Sequence, residues 1–284
     1  MFLSKKKKPK RVIILGSGGF ISSHLENILK IKKINFKGLK RKEVDLSNNV
    51  SVKKLKKMIK PFDTIVIIAA KAPCKNIEMF DKNIRIINNI CSGLQNKKLE
   101  QVIYISSDAV YSDSFKKLNE KSETNPNNYH GLMHLCREKI LSLNFNKKLC
   151  ILRPTLIYGN NDPHNGYGPN SFLRLAKKNL PIKLYGKGEE LRDHIDVDIV
   201  SEVIFKCIIY KYVGILNLVT GSKISFLEIA KLAIKNTKSK SKIIFIKRKG
   251  PMPHNGYRLF NTNQLNKTFK NINLKSINKN KSYR

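Results

Sequence analysis

Val12-Ile13-Ile14-Leu15 runs straight into Gly16-Ser17-Gly18-Gly19-Phe20-Ile21-Ser22-Ser23-His24-Leu25. Four strand formers, a glycine-rich turn and an amphipathic stretch over Phe20–Ile31 read as strand, turn and helix. A helix that starts directly after such a turn aims its unpaired N–H groups forward, and a phosphate suits them. Glycine allows the tight turn and a close backbone approach to a pyrophosphate. The spacing G-x-G-x-x-G is half met, because Ile21 stands third. The spacing G-x-x-G-x-x-G places Gly16, Gly19 and Ser22, and serine is small enough for close helix–strand packing. The expected dinucleotide contacts here are Gly16, Ser17, Gly18, Gly19, Phe20 and Ile21.

Outward from this turn the alternation repeats. Strands are expected at 12–15, 36–39, 64–68, 101–105 and 149–152. Helices are expected at 20–31, 52–59, 76–94 and 129–143. Short, continuously apolar strands separated by helices indicate a parallel sheet covered on both faces. Right-handed crossovers then give an α/β, Rossmann-like doubly wound fold. Two parts are expected: 1–160 as the dinucleotide-binding domain and 161–284 as a smaller C-terminal substrate-binding part, with some segments returning to the first. Residues 159–170, rich in Gly, Asn and Pro, read as a long ordered loop. Smaller elements follow at 171–178, 182–185, 197–210, 215–218 and 225–236, and the last dozen residues read as a basic tail.

The chain has 284 residues, with 56 Lys+Arg against 20 Asp+Glu, a formal charge of +36. Such a charge resembles a nucleic-acid or anionic-membrane signature. Yet only ten of these cations are Arg, the residue that nucleic-acid readers favour. Lys, Asn and Ile together supply 111 residues, and AT-rich codons encode all three, so composition accounts for much of the excess. No specific nucleic-acid partner is expected. Five cysteines without a CxxC pair argue against a disulfide framework or zinc ribbon and suit a reducing cytoplasm. No apolar run approaches the ~18 residues that span a membrane.

After the second strand stands Leu39-Lys40-Arg41-Lys42. An NAD site places Asp or Glu there for the ribose hydroxyls. Basic residues neutralise a 2′-phosphate instead, so NADP is favoured over NAD, with Arg41 the better witness. Asp45, in Val44-Asp45-Leu46, is expected at the adenine edge.

Further motifs lie along the chain in order. They are Ala69-Ala70-Lys71; Ser106-Ser107-Asp108-Ala109-Val110-Tyr111; Arg153-Pro154-Thr155-Leu156-Ile157-Tyr158-Gly159; Gly186-Lys187-Gly188-Glu189-Glu190-Leu191-Arg192-Asp193-His194-Ile195; and Asn217-Leu218-Val219-Thr220-Gly221. With the opening turn and Asp45-Leu46, they resemble the extended short-chain dehydrogenase/reductase family. That family includes NAD(P)-dependent nucleotide-sugar epimerases, dehydratases and reductases. The resemblance covers nearly the whole chain and implies a nucleotide-sugar substrate. It also implies cofactor contacts at Leu46, Ala69, Ala70, Lys71 and Pro154, and a homodimer through the helices near 76–94 and 129–143.

Family members work with a Ser/Thr, a Tyr and a Lys. The first falls on Ser107, whose hydroxyl hydrogen-bonds a sugar oxygen. The acid–base Tyr falls on Tyr129. The Lys belongs four residues later on the same helix face, and here that residue is Met133. On the helix wheel His134 is offset by about 100°, and Lys139 lies about 15 Å along the axis. Asp108 is implied to touch substrate. Dehydratases of the family carry Asp-Glu there, and Ala109 in the Glu place disfavours dehydration. Epimerisation and ketone reduction remain, and NADP points to reduction. Arg192 and Arg258 are the expected cations for the substrate diphosphate, with salt bridges as their alternative role. Asn170 either touches the sugar or caps the helix behind it. His130, His134 and Glu138 share a helix face, but ligands on three consecutive turns seldom converge on one ion, so no metal is expected. Met133 keeps open a second reading, a dinucleotide-binding protein without turnover. The charge keeps open a third, an RNA-associated protein on this fold.

Overall fold

The computed structural model of the chain describes residues 5–162, 165–270, 272–280 and 283. The chain folds as two units: one takes residues up to 112, 122–154 and 200–218, and the other takes 113–121, 155–199 and 219 onward.

The first unit is built on strands β1 (Arg11–Leu15), β2 (Phe36–Leu39), β3 (Asp63–Ile67), β4 (Gln101–Ile105) and β5 (Leu149–Pro154), with a sixth strand at Gly214–Leu218. All pair in parallel, in the order sixth strand, β5, β4, β3, β1, β2. Every residue of β3, β4 and β5 is buried. Strands covered on both faces read as unbroken apolar runs, which is why the sequence shows them so plainly. Among the helices with them are α1 (Phe20–Ile31), α2 (Val50–Met58), α3 (Ile77–Leu94), α4 (Tyr129–Phe145) and, for most of its length, the helix Val197–Ile209.

One core cluster joins Ile13, Leu15, Ile65 and Ile67 of the sheet to Leu55, Ile86, Ile87, Ile90, Leu94 and Leu141 of the helices. Each such side chain contributes about 1.5–3 kcal/mol on burial. Asn76 starts α3 by accepting a hydrogen bond from the Met79 N–H at 3.0 Å, a cap worth about 1 kcal/mol. β3 begins at Asp63, one residue before its apolar run. Asp63 sits beside Arg11 in the strand register and accepts two hydrogen bonds from its guanidinium, at 2.9 and 2.6 Å. Paired charges thus extend both strands past their apolar limits. β1 lies between β2 and β3, so the winding reverses direction there. Open α/β sheets bind ligands outside the carboxyl ends of their strands at such a reversal.

The second unit packs helices Pro169–Lys177 and Phe226–Thr237 with the parallel pair Ile182–Tyr185 and Ile243–Ile246. Phe172, Ala176, Ile182, Leu184, Phe226, Ile229, Ala230 and Ala233 form its core, joined by Ile277 and Tyr283. The expected basic tail is therefore corrected where it is described. Ile277 and Tyr283 are buried, and Tyr283 donates a hydrogen bond to the Pro169 carbonyl at 3.0 Å. Surrounding Lys and Asn mask these two anchors in the sequence. Among the described residues no helix is long and apolar enough to cross a membrane.

Candidate active site

The switch point is where the glycine-rich turn lies. Gly16 has φ +97°, and a Cβ added there would stand 2.6 Å from the Ala69 nitrogen. Ala69 follows β3 and donates its N–H to the Leu15 carbonyl at 2.8 Å. Conformation and space both demand glycine. Gly18, at φ +85°, passes the Lys40 stem. Gly19 caps α1, and its N–H goes to the Ser22 hydroxyl at 2.8 Å, so serine at the third small position stabilises the turn. The first turn of α1 holds no acidic residue. A narrow backbone cradle before a helix N-terminus fits the pyrophosphate of a dinucleotide. Ser17 donates its hydroxyl to Glu26 at 2.6 Å. Beyond Ala69-Ala70, the buried Asn83 accepts from the Lys71 N–H and donates to its carbonyl, at 2.8 and 3.0 Å.

After β2, Arg41 and Asp45 form an ion pair at 3.3 Å on the surface. The Asp45 carboxylate also accepts from the Ser47 hydroxyl at 2.6 Å and N–H at 3.0 Å. Those Ser47 hydrogen bonds come first in holding its pKa below the usual carboxylate value. Lys40 is the base whose stem lies along the glycine turn. Its place directly after the last residue of β2 is the signal that singles it out, ahead of Arg41.

The residues expected to carry the chemistry lie at the next strand end and at the start of α4. Ser107 opens a single turn, Asp108–Val110, and its hydroxyl accepts from the Ala109 N–H at 3.1 Å. Asp108 is buried, with its carboxylate 3.4 Å from the Ser107 hydroxyl. Asn128 caps α4 by accepting from the Gly131 N–H at 2.9 Å. Gly131 packs so tightly on the Ala109 carbonyl and Pro126 that no Cβ would fit. This contact docks the first turn of α4 onto the Ser107 turn. Tyr129 begins α4 with 42% of its surface exposed, its ring 6.5 Å from that of Phe80.

Met133 is completely buried. One turn further, so is Arg137, whose Nη1 lies 3.8 Å from the Met133 sulfur. Nη2 donates to the Ala69 carbonyl at 2.7 Å, and the guanidinium stacks 5.1 Å from the Tyr104 ring centre. The sequence offers no stand-in for the charge missing at 133, since His134 is off the face and Lys139 is too far along; the structure brings Arg137 against Met133.

Beneath lies a buried polar network. Glu138 accepts two hydrogen bonds from Arg153, at 2.9 and 2.6 Å, and one from Ser106 at 2.5 Å. Arg153 stacks 4.8 Å from the centre of Tyr111, whose hydroxyl donates to Asn217 at 2.7 Å. Three sequence motifs thus meet through Arg153, Tyr111 and Asn217, and Pro154 closes β5 beside them. His134 pairs with the Tyr104 hydroxyl at 2.7 Å, and burial drives its pKa well below the ordinary histidine value. His130 accepts from the Cys74 N–H at 3.4 Å and meets the His134 ring edge-on at 4.7 Å, while Glu138 is taken up by Arg153 and Ser106.

In the second unit Arg192 is buried and donates to Glu190 at 2.9 Å. The neighbouring Asp193 instead accepts from Thr220 and Gly221. Arg258 is buried, with Nη1 3.1 Å from both Asp113 and His254. Asn170 lies inside its helix, which begins at Pro169 after Gly168. Its amide accepts from the Gly159 N–H at 3.1 Å and donates to Asp162 at 2.6 Å. The capping expectation for Asn170 is corrected: proline already supplies the helix start.

The sequence profile of the NAD dependent epimerase/dehydratase family matches residues 12–210. The chain belongs to that family. It is 26% identical over 260 residues to dTDP-D-glucose 4,6-dehydratase of Dictyostelium discoideum, covering 82% of this chain and 58% of that protein. The chain therefore spans less than two thirds of that relative's length. The UDP-glucose 4-epimerase of Thermus thermophilus, in complex with NAD, superposes with TM-score 0.79 at 22% identity, covering 90% of this chain and 91% of that one. A GDP-L-fucose synthetase from Naegleria fowleri bound to NADP superposes with TM-score 0.84 at 14% identity, covering 99% and 93%. At these identities the likeness speaks for the fold.

Proposed function

We propose that this chain is an NADP-dependent enzyme acting by hydride transfer at a sugar carbon of a nucleotide sugar, as a reductase or an epimerase. The observation that carries this reading is the contact of Gly131 with the Ala109 carbonyl. It fixes the start of α4, with Tyr129, against the turn that bears Ser107. A dinucleotide would be held by the turn from Gly16 to Ile21, by Ala69, Ala70 and Lys71, and near Pro154. When bound it supplies the hydride carrier. Lys40 and Arg41 favour a 2′-phosphate. The Tyr129 hydroxyl holds or releases a proton at the sugar oxygen, and Ser107 orients that oxygen by a hydrogen bond. Asp108 stands beside Ser107 as a substrate contact. In the second unit Arg192 and Arg258 are offered as cations for a diphosphate, which would compete with Glu190 and Asp113 for them. Asn170 is offered as a sugar contact.

The buried thioether of Met133 favours a second reading, dinucleotide binding without turnover. Incubation of purified protein with NADPH or NADP+ and a panel of nucleotide sugars, with products followed by mass spectrometry and NMR, separates the two. New products at a sugar carbon support the enzyme. Tight NADPH binding with no product from any member, reversed by Met133→Lys, supports the binder.

A further inference from the structure

Arg137 is completely buried, and no described carboxylate forms an ion pair with it. Its partners are the Ala69 carbonyl, the Met133 sulfur and the face of Tyr104, and its Nε has no hydrogen-bond partner among the described residues. The groups around it are Tyr104 from β4, Cys91 from α3, and His134 and Glu138 from its own helix. Glu138 is already neutralised by Arg153 at 2.6 Å. A carbonyl and a ring face offset part of the cost of burying a cation, and they leave its charge in place.

Two of these partners belong to the site. Ala69 is the residue against which Gly16 turns. Met133 lies one helical turn from Tyr129, on the same side of α4. We infer that Arg137 supplies, from beneath the site, the positive charge that position 133 lacks, and thereby biases the bound dinucleotide toward its reduced form. The inference rests on the dinucleotide reading above. The oxidised nicotinamide ring is cationic and the reduced ring is neutral, so a fixed cation below repels one and leaves the other. At an effective dielectric near 20, two unit charges about 12 Å apart repel enough for about a tenfold difference in relative affinity. Arg137 is a positioning charge and touches neither substrate nor dinucleotide.

The test is the ratio of dissociation constants for NADP+ and NADPH, with NAD+ and NADH in parallel. Arg137→Met is expected to tighten the oxidised form relative to the reduced by about tenfold, equivalent to about 30 mV for a two-electron couple. Arg137→Lys keeps the charge and is expected to keep the ratio. Met133→Lys with Arg137→Met is expected to return it. Arg137→Gln carries the same comparison should Arg137→Met not fold. A ratio unmoved by either neutral variant overturns the inference, as does a shift in Arg137→Lys equal to that in Arg137→Met. A loss of affinity shared equally by both redox forms also overturns it, since that marks a structural role. Failure of the unaltered protein to bind any of the four dinucleotides overturns the parent reading instead, and this one with it.

Discussion

Gly16 and Ala69 approach so closely that a methyl group on Gly16 would sit 2.6 Å from the Ala69 nitrogen. These residues follow neighbouring parallel strands on either side of the winding reversal. Ala69 in turn accepts a hydrogen bond from Arg137, so the glycine turn and α4 are linked through one alanine. The turn, the Ser107 loop and α4 all belong to the first unit.

Removing either hydroxyl at the strand end tests the chemistry. Tyr129→Phe and Ser107→Ala are each expected to lower kcat by about 10²–10⁴-fold. Dinucleotide affinity should change less than about threefold. Steady-state kinetics beside an equilibrium titration checks both. A fall in affinity as large as that in kcat would make these residues cofactor supports.

Dinucleotide choice should follow the bases after β2. Lys40→Ala with Arg41→Ala is expected to weaken NADPH by about tenfold and leave NADH nearly unchanged. Parallel titrations decide it. Equal weakening of both would remove the 2′-phosphate from the account.

The Glu138–Arg153 pair predicts a stability effect. Arg153→Met leaves Glu138 buried and uncompensated, which costs about 3–5 kcal/mol. The urea midpoint should fall accordingly. A double exchange, Glu138→Leu with Arg153→Met, should recover a large part, because paired charges replaced together are often near neutral.

Acid should destabilise the fold through its buried histidines. Burial pushes the pKa of His194 down to about 3 and that of His134 well below normal. Both stay neutral when folded, while the unfolded chain takes up protons near pH 6.5. The folded pKa is the lower one, so their stabilisation is complete above about pH 6.5. It declines as pH falls below that, by about 1.4 kcal/mol per pH unit for each histidine. Denaturant midpoints at pH 7.5 and 5 should show the loss, and His194→Phe should reduce its slope.

How far the sequence carries can be seen residue by residue. Phe20–Ile31, Phe36–Leu39 and Gln101–Ile105 have the bounds that their apolar spacing predicts, because burial on a sheet face writes a period into the chain. The extension of β1 and β3 through Arg11 and Asp63 was not legible, since two charges hide their pairing until the register is known. The same holds for Ile277 and Tyr283, isolated among polar residues. The motifs single out Ser107, after an interior strand, and Tyr129, but the residue below Met133 needed coordinates. Arg137 lies two turns from Tyr129 in a helix with few other cues, and what sets it apart is burial without a carboxylate.

Turnover, cofactor choice and the charge at Arg137 all require a dinucleotide seated at Gly16. Titration of the purified chain with NADPH, followed by nicotinamide fluorescence, tests this most directly when the unaltered protein is set beside Gly16→Ala. We predict saturable binding at one site per chain, weakened about a hundredfold or more by the substitution, because alanine there meets both an unfavourable φ and the Ala69 backbone. No saturation in the unaltered protein, or equal affinity in a folded Gly16→Ala, would contradict it.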